Sequence, residues 1–444
     1  MIDSIALAEQ VAVVQPQRLL AARGGTATSA VDRLALVDYW ELGEGLAVLV
    51  LRDDRGSLHV APSRVDSAGP RRAEAGAGLS QALVFRLAQG SAESGRFALR
   101  RLHGGPLTGE RAMGVDQTNE SVVVGSTAVV KWLNRVSADL HPAPGRLSLL
   151  DRAGFSSMPQ PWGFLFWRDD AGRDVLLATV DAYLDGATDG WSWCVDDVRR
   201  FARGELTLAE AVAPAERVGA LVAAMHMAFA SGGVTVAEPA ACERWQQAAV
   251  TALEDVLDEV DGLERERLGI GADEIRTRLS RWSSVDAVVV MPVHGDLHVG
   301  QILRYVTGDG QISYAVTDFD GNPVLSPAER TSPQPAARDV AGYLQSLDHV
   351  GRVVVKRTED VDEVAIHHWI GAAQQGFLSR YRHGLSEDDR GEIFQDELLD
   401  PMRVEQECRE FLYAVRYDPV WRYVPDAAIG ALLSASSNPP REES

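Results

Sequence analysis

The residues best suited to chemistry lie in two short, neighbouring segments. Residues 293–302 read Val-His-Gly-Asp-Leu-His-Val-Gly-Gln-Ile, and residues 316–323 read Val-Thr-Asp-Phe-Asp-Gly-Asn-Pro. They supply His294, Asp296, Gln301 and Asp318, which offer a potential base and potential oxygen ligands for a hard cation. One such residue in a loop is usually a solvated turn residue, but four of them positioned by one structural element indicate an active site.

A predicted β-hairpin connects the two segments, with its turn at Thr307–Gly310. Centring the turn on the middle of this tetrapeptide predicts that Gln301 faces Val316. Asp318 is then a diagonal neighbour of Gln301, at roughly 7–8 Å between Cα atoms. One metal ion bound by two side-chain oxygens can bridge that gap. Asp296 precedes the first strand at the same end of the hairpin.

Composition excludes several classes of function. The chain has 444 residues, 64 acidic and 43 basic, for a formal net charge of −21. Such a surface repels polyphosphate backbones, so a nucleic-acid polymer is not an expected partner, whereas a metal-bound nucleotide remains possible. The three cysteines are far apart and odd in number, which fits a reducing compartment. The most apolar helical stretch, Val218–Ala230, is shorter than the roughly 20 residues that span a bilayer. We therefore predict a cytoplasmic protein with no membrane contact.

The order of predicted elements indicates three parts. Residues 1–97 contain short strand-like runs, including Ala82–Leu87, and predict a β-rich N-terminal cap. Residues 98–183 are dominated by strands, and residues 184–444 by helices. Strands followed by helices predict an α+β molecule with two lobes. In the helical part we expect helices at Val195–Ala202, Leu206–Ala230, Cys242–Leu263 and Asp273–Trp282, a strand at Val285–Val293 and a later helix at Pro401–Tyr417.

A second predicted hairpin contains a notable lysine. Two runs rich in valine flank Gly125-Ser126, a pair typical of a tight turn in which glycine supplies the positive φ. Lys131 lies on the second strand among apolar neighbours. Lysines are usually at the surface, so this surrounding favours a role for Lys131 in binding an anion.

The chain resembles the kinase-like superfamily of aminoglycoside phosphotransferases, and within it the actinobacterial maltokinases and glucosamine kinases, which share His-Gly-Asp-Leu-His-x-Gly-Gln. Further matching segments are Ala187–Trp191, Arg338–Gly342, and Trp421 with Pro425. The resemblance covers residues 110–425 and implies a eukaryotic-kinase-like fold, ATP as phosphoryl donor and Mg²⁺ as cofactor. Those families also carry an N-terminal cap.

The resemblance implies roles for individual residues. Asp296 corresponds to the general base that accepts the proton of the attacking hydroxyl group. Gln301 and Asp318 correspond to the Mg²⁺ ligands. Asp320 replaces the glycine of Asp-Phe-Gly and either contacts a second metal ion or forms a hydrogen bond behind the ligands. His298 either shapes the loop through hydrogen bonds, the favoured role, or contacts the substrate.

Other residues correspond to the nucleotide site. Lys131 resembles the lysine that pairs with the α- and β-phosphates, and the hydroxyl groups of Thr118 and Ser121 occupy the phosphate-loop position without its glycine pattern. Tyr183 begins the hinge whose backbone would recognise adenine. A kinase lysine is normally paired with a helical glutamate, but residues 134–150 contain no glutamate, so the partner that orients Lys131 is open.

The acceptor site is predicted on the helix Pro401–Tyr417. One face carries the apolar stripe Val404, Cys408, Phe411, Leu412 and Val415, and the other carries Gln406, Glu410, Tyr413 and Tyr417. The polar face either meets solvent or lines the acceptor cleft, with Trp421 stacking on the sugar ring.

Acidic and amide groups at this site favour a cationic amino sugar, so we predict a glucosamine kinase. The alternatives are a maltokinase, an aminoglycoside-type phosphotransferase and a kinase-fold binding protein without catalysis. The absence of His-Arg-Asp and Ala-Pro-Glu motifs makes a protein kinase less favoured.

Overall fold

This computed structural model describes residues 2–21, 31–114, 119–385 and 392–436. The chain forms two compact units. The first comprises residues 1–151, 159–186 and 326–331, and the second comprises residues 152–158, 187–325 and 332–444. Strands predominate in the first unit and helices in the second, so the predicted α+β class is confirmed. Among the helices that the structure describes, none is long and apolar enough to cross a membrane.

The first unit contains two antiparallel sheets. Its elements are α1 (Ser4–Val13), β1 (Leu34–Gly43), β2 (Leu46–Asp53), β3 (Leu58–Asp66), β4 (Gly69–Arg72), α2 (Leu79–Ala88), β5 (Ala92–Ser94), β6 (Phe97–Arg101), β7 (Glu110–Ala112), β8 (Glu120–Val124), β9 (Ala128–Trp132), β10 (Arg135–Val136), α3 (Pro142–Arg152), β11 (Pro161–Arg168), β12 (Asp174–Ala182) and α8 (Pro327–Thr331). A five-stranded sheet has the order β1-β2-β3-β10, with β4 also paired to β3, and a seven-stranded sheet has the order β5-β6-β11-β12-β9-β8-β7.

A separate apolar core holds the N-terminal helix on the five-stranded sheet. Leu7 and Val11, one helical turn apart on α1, pack against Ala47, Leu49 and Leu51 of β2. The alternation on β2 follows from the two-residue period of a strand, which points every second side chain to one face. The predicted boundary at residues 97 and 98 falls inside β6, and the division between cap and lobe stays a prediction.

The second unit is mainly helical. Its elements are α4 (Gly190–Ala202), α5 (Leu208–Ala230), β13 (Thr235–Val236), α6 (Pro239–Glu259), α7 (Gly262–Ser280), β14 (Val289–Val290), β15 (Ile302–Val306), β16 (Ile312–Val316), α9 (Ala337–Arg357), α10 (Glu363–Gly384), α11 (Leu399–Tyr417) and α12 (Tyr423–Ser436), with a 3₁₀ turn at Pro419–Trp421. The apolar side of α11, with Val404, Cys408 and Phe411, packs on α6 and α7 in one buried cluster.

Three sequence predictions of secondary structure are wrong. Ala82–Leu87 belongs to helix α2, because Leu79, Leu83 and Leu87 recur at helical spacing and are buried together. The expected strand Val285–Val293 is reduced to the two residues of β14. The expected helix Cys242–Leu263 is two helices, since the chain is extended at Val260 and left-handed at Gly262.

Candidate active site

The catalytic loop, residues 294–301, lies between β14 and β15 in the second unit. Asp339, in the first turn of α9, holds the start of this loop. The two carboxylate oxygens of Asp339 accept hydrogen bonds from the backbone N–H groups of His294 and Gly295, each at 2.8 Å. His226 also binds Asp339, with Nε2 at 3.1 Å from Oδ2. Burial opposes the charge on Asp339, but the hydrogen bond from His226 and the neighbouring charges hold its pKa below the usual value. A buried anion thus orients the loop backbone.

Two glycines in the matching segments allow backbones to approach this loop. A Cβ atom on Gly342 of α9 would lie 2.6 Å from the carbonyl oxygen of Leu297, and one on Gly190 of α4 would lie 1.7 Å from that of Val299. Both distances are far inside van der Waals contact, so only glycine fits. The segments Ala187–Trp191 and Arg338–Gly342 therefore shape the catalytic loop.

The hairpin after the loop brings Gln301 and Asp318 together, as predicted, but through a different register. Ile302, not Gln301, faces Val316, because the loop between the strands has five residues rather than four. Gln301 lies opposite Thr317, whose N–H donates to its carbonyl oxygen at 2.9 Å. The predicted pairing of Gln301 with Val316 is therefore wrong by one residue, whereas the meeting of its side chain with Asp318 is observed, with Nε2 at 3.5 Å from Oδ2.

The geometry around these two residues fits a hard cation. His298 accepts a hydrogen bond from the N–H of Gly300 at Nδ1, and burial lowers its pKa to about 4, so its proton lies on Nε2. That Nε2 faces the amide of Gln301 at 3.2 Å. Exchange of the amide oxygen and nitrogen, which are sterically equivalent, lets the oxygen accept from His298 and face the Asp318 carboxylate. Two hard oxygen donors then adjoin, as Mg²⁺ requires.

Asp318 itself adopts an uncommon backbone conformation. Its φ of 64° lies in the left-handed region, which non-glycine residues adopt rarely and often at functional sites. Asp320 follows in a turn. Within the described residues, no three His, Cys, Asp or Glu side chains form a metal site. The role of Asp320 stays a prediction.

Asp296 combines burial with negative neighbours. Burial raises its pKa to about 7, assisted by the charges of Asp318 and Glu410 and opposed by that of Arg409. Its backbone N–H donates to Nδ1 of His294 at 3.3 Å, and Nε2 of His294 donates to the carbonyl oxygen of Thr317 at 2.9 Å. A carboxyl group that titrates near neutral pH suits a general base.

Asp296 lines a cavity of about 360 Å³ within the second unit. Its lining includes every residue that the sequence suggested for the acceptor site, namely Asp296, His298, Gln406, Glu410 and Trp421. Part of the polar face of α11 therefore lines a cavity next to the catalytic loop, and the acceptor role of its residues stays a prediction. Tyr417, predicted on the same face, is 69% exposed and is not among the lining residues.

Five side chains form what we call the acceptor wall: Trp191, Gln406, Arg409, Glu410 and Trp421. Gln406 Nε2 donates to Glu410 Oε1 at 2.9 Å across one helical turn. The indole rings of Trp191 and Trp421 lie 5.5 Å apart between centroids. The wall thus presents a carboxylate, an amide and an aromatic pair, which are groups that hydrogen-bond and cover a sugar ring.

Sequence reasoning missed several residues of this site. Trp191 and Asp339 belong to segments that match the family, but the sequence predicts no individual role for either residue. Arg409 was missed because its charge resembles that of any surface arginine. In the structure its Nη2 atom is buried and makes no hydrogen bond within the described part of the chain. A buried donor without a partner is costly, and other atoms of Arg409 line the cavity.

The predicted nucleotide residues lie in the first unit. Lys131 on β9 pairs with Ser121 on β8 and Thr179 on β12, and the predicted hairpin is present, with a three-residue turn at 125–127. Tyr183 follows β12, and the guanidinium of Arg111 lies 5.3 Å from the centre of its ring. Thr118 lies outside the described residues. These four nucleotide roles stay predictions.

The strand register offers a candidate partner for Lys131. Asp181 on β12 pairs with Val129, so it stands diagonal to Lys131 on the same face of the sheet. Diagonal neighbours of this kind lie within reach of long side chains. Asp181 therefore occupies a place from which a carboxylate can orient Lys131 without the helical glutamate of other kinases.

No protein-family model matches the chain, but two relatives named glucosamine kinase align with nearly all of it. The one from Streptacidiphilus jiangxiensis is 46% identical over 432 residues, covering 96% of this chain and 97% of its own length. The one from Mycolicibacterium smegmatis is 36% identical over 412 residues, covering 90% of this chain and 99% of its own. The chain belongs to the glucosamine kinase family.

Solved structures agree with this assignment. A crystal form of a glucosamine kinase is similar to the chain with a TM-score of 0.85 and 44% identity, covering 96% of this chain and 99% of that one. A glucosamine kinase in complex with glucosamine, ADP and inorganic phosphate is similar with a TM-score of 0.81 and 45% identity, with the same coverage. The predicted kinase-like fold and the predicted class of ATP-dependent phosphotransferase are confirmed.

Proposed function

We propose that this protein transfers the γ-phosphoryl group of ATP to a hydroxyl group of glucosamine in the cytoplasm. The observation that carries the proposal is the acceptor wall, which places the Glu410 carboxylate and the Trp421 indole in the cavity that Asp296 lines. The known relatives bear the name of this activity, and the similar structure with glucosamine, ADP and phosphate supports the same donor and acceptor.

In the proposed reaction, the hydroxyl oxygen of the sugar forms a bond to the γ-phosphorus of ATP while Asp296 accepts the hydroxyl proton. The bond between the γ-phosphorus and the oxygen that stays with ADP breaks. Phosphoryl transfer depends mainly on positioning and charge neutralisation. A pKa near 7 leaves Asp296 ionised at slightly basic pH, ready to take the proton. Gln301 and Asp318 would hold Mg²⁺, which neutralises phosphate charge.

The acceptor wall accounts for selection of an amino sugar. The protonated amino group would bind Glu410, and such a charge-assisted hydrogen bond contributes roughly 1.5–3 kcal/mol. Gln406 holds the Glu410 carboxylate in place. A neutral sugar such as glucose or maltose would leave the Glu410 carboxylate without a cationic partner.

A panel of acceptors with coupled detection of ADP tests this proposal. We expect kcat/KM for glucosamine to exceed that for glucose, N-acetylglucosamine and maltose at least tenfold, because only glucosamine carries the ammonium group. An equal or higher kcat/KM for maltose would instead favour a maltokinase, and ADP release with none of the sugars would favour a binding protein. The same assay with a chelator should lose activity and recover it with Mg²⁺, and full activity in chelator would exclude the metal site.

A further inference from the structure

A buried polar cluster lies behind the acceptor wall, and the proposed reaction does not use it. We call Gln345, His349, Arg403 and Glu407 the His349 cluster. Glu407 is fully buried, and its Oε1 atom lies 2.8 Å from Nε2 of His349 and 2.6 Å from Nε2 of Gln345. Arg403 Nε donates to Oε1 of Gln345 at 2.6 Å. The members span α9 and α11, so the cluster joins the two helices.

The geometry of the cluster favours a charged His349. Two N–H donors converge on one oxygen of Glu407, and the ionised carboxylate, whose oxygens only accept hydrogen bonds, suits this arrangement. An ionised carboxylate in a dry site needs a cation nearby. Two arginines close by, Arg338 and Arg409, pair instead with Glu405, another carboxylate of α11, at 3.0 and 3.5 Å. The imidazolium of His349 is the cation in direct contact with Glu407, and although burial alone would lower its pKa, Glu407 raises it to about 9.

His349 also faces the acceptor wall. It lines the cavity, and its ring stands nearly perpendicular to the indole of Trp421, with centroids 6.2 Å apart. An edge-on imidazolium is attracted to the negative face of an aromatic ring. The charge of His349 also acts on Glu410. Burial raises the pKa of Glu410, and among the effects that lower it the charge of His349 is the largest.

We propose that His349, held by Glu407, is a positioning residue that fixes the Trp421 indole and favours the charged form of Glu410, so that the acceptor site selects a protonated amino sugar. This inference rests on the proposed function and adds to it a group that acts on the charge of the recognition carboxylate. Without the imidazolium, burial would raise the pKa of Glu410 with less opposition, and the amino group would meet a weaker countercharge.

The other charged groups around His349 do not replace it. Those that face it or act on it are Glu407 and Glu410 on α11, Asp348 on its own helix, and His298 in the catalytic loop. Arg403 is a second cation that acts on Glu407, but its Nε and Nη2 atoms donate to Gln345 and Gln374. Asp348 is paired with Arg352 through two contacts, at 3.0 and 3.2 Å, and His298 is neutral. Arg409 acts on Glu410 as well, but it also pairs with Glu405.

Calorimetric titration with glucosamine between pH 6.5 and 8.5 tests the proposal. The variant His349→Gln keeps an N–H donor for Glu407 but removes the charge, and His368→Gln, at an exposed position of α10, is the matched control. We expect His349→Gln to weaken glucosamine binding at least tenfold at pH 6.5 and by a smaller factor at pH 8.5, because the carboxyl group of Glu410, whose pKa burial raises, depends less on a neighbouring cation as pH increases. The control should bind like the wild type at every pH.

A second measurement follows the imidazole directly. With ¹⁵N-labelled histidine, one ring of the wild type should titrate near pH 9, and its signal should be absent in His349→Gln. In Glu407→Gln, which keeps an oxygen acceptor but removes the charge, that titration should move to lower pH. This measurement needs no substrate.

The outcomes separate the two proposals. A wild type that binds glucose as tightly as glucosamine would overturn the proposed function and with it the selection ascribed to His349. A wild type that prefers glucosamine, with a His349→Gln defect that is the same at every pH, would overturn only the role of His349. A His349 ring that titrates at or below the usual value of about 6.5 would also overturn only that role.

Discussion

The catalytic loop and the acceptor wall are neighbours but are built in different ways. The loop is one continuous stretch, residues 294–301, whose conformation is set by backbone hydrogen bonds to Asp339 and by a hairpin. The wall takes side chains from α4, α11 and the turn at 419–421, and buried charges on α9 lie behind it. One loop, held at its start by Asp339 and at its end by a hairpin, therefore positions the chemistry, whereas side chains from several packed elements position the acceptor.

This difference predicts which kinetic constants each region controls. A group that acts on the transferring phosphoryl changes the chemical step and therefore kcat, whereas a group that holds the acceptor also in the ground state changes KM. Mutations in the two regions should therefore separate into two kinetic classes.

The largest effect is expected at Asp296. Replacement by asparagine removes the proton acceptor and should lower kcat roughly 10²–10⁴-fold, while the dissociation constant for ATP changes little. Steady-state assays and nucleotide titration measure the two quantities. Asp258→Asn, at an exposed position of α6, is the control and should match the wild type. Retention of more than about a tenth of kcat would show that the loop does not supply the base.

A smaller effect, on a different constant, is expected at Glu410. Replacement by glutamine keeps the size and the hydrogen bond from Gln406 but removes the charge. We expect KM for glucosamine to rise roughly 10- to 100-fold, since a charge-assisted hydrogen bond is lost, with KM for ATP unchanged. Glu266→Gln, exposed on α7, is the control. An unchanged KM for glucosamine would remove Glu410 from the acceptor site, and a fall in kcat alone would break the division between the two regions.

The last expected effect concerns stability and not kinetics. Since the folded pKa of Asp296 is about 7 and that of an unfolded aspartate is about 3.9, the folded state loses stability as pH rises from 4 to 7 and stays lowered above 7. Asp296→Asn removes this cost, so the ligand-free variant should be more stable than the wild type at pH 8, by at most about 4 kcal/mol. Thermal unfolding at pH 8 and pH 4 measures the difference. The gain should vanish at pH 4, and a gain independent of pH would refute this account.

Sequence reasoning located most of the catalytic loop because its residues are close along the chain. The hairpin predicts that Gln301 and Asp318 lie close together. This proximity is observed although the predicted register is wrong by one residue, because both residues lie at the same end of the two strands. The strand prediction at Ala82–Leu87 is wrong because a short apolar run fits a strand and a buried helix equally well. The packing partners of the run decide between the two.

The sequence alone determined the α+β class, the catalytic motif and the two faces of helix α11, because local periodicity and short spacings encode them. Only the tertiary structure decided that the polar face of that helix lines a cavity, that Trp191 meets Trp421, and that Asp339 holds the loop. It also joined His349 to Glu407, 58 positions apart in the chain. The physical reason is that burial and charge pairing depend on which helices pack together, and no short stretch of sequence specifies that.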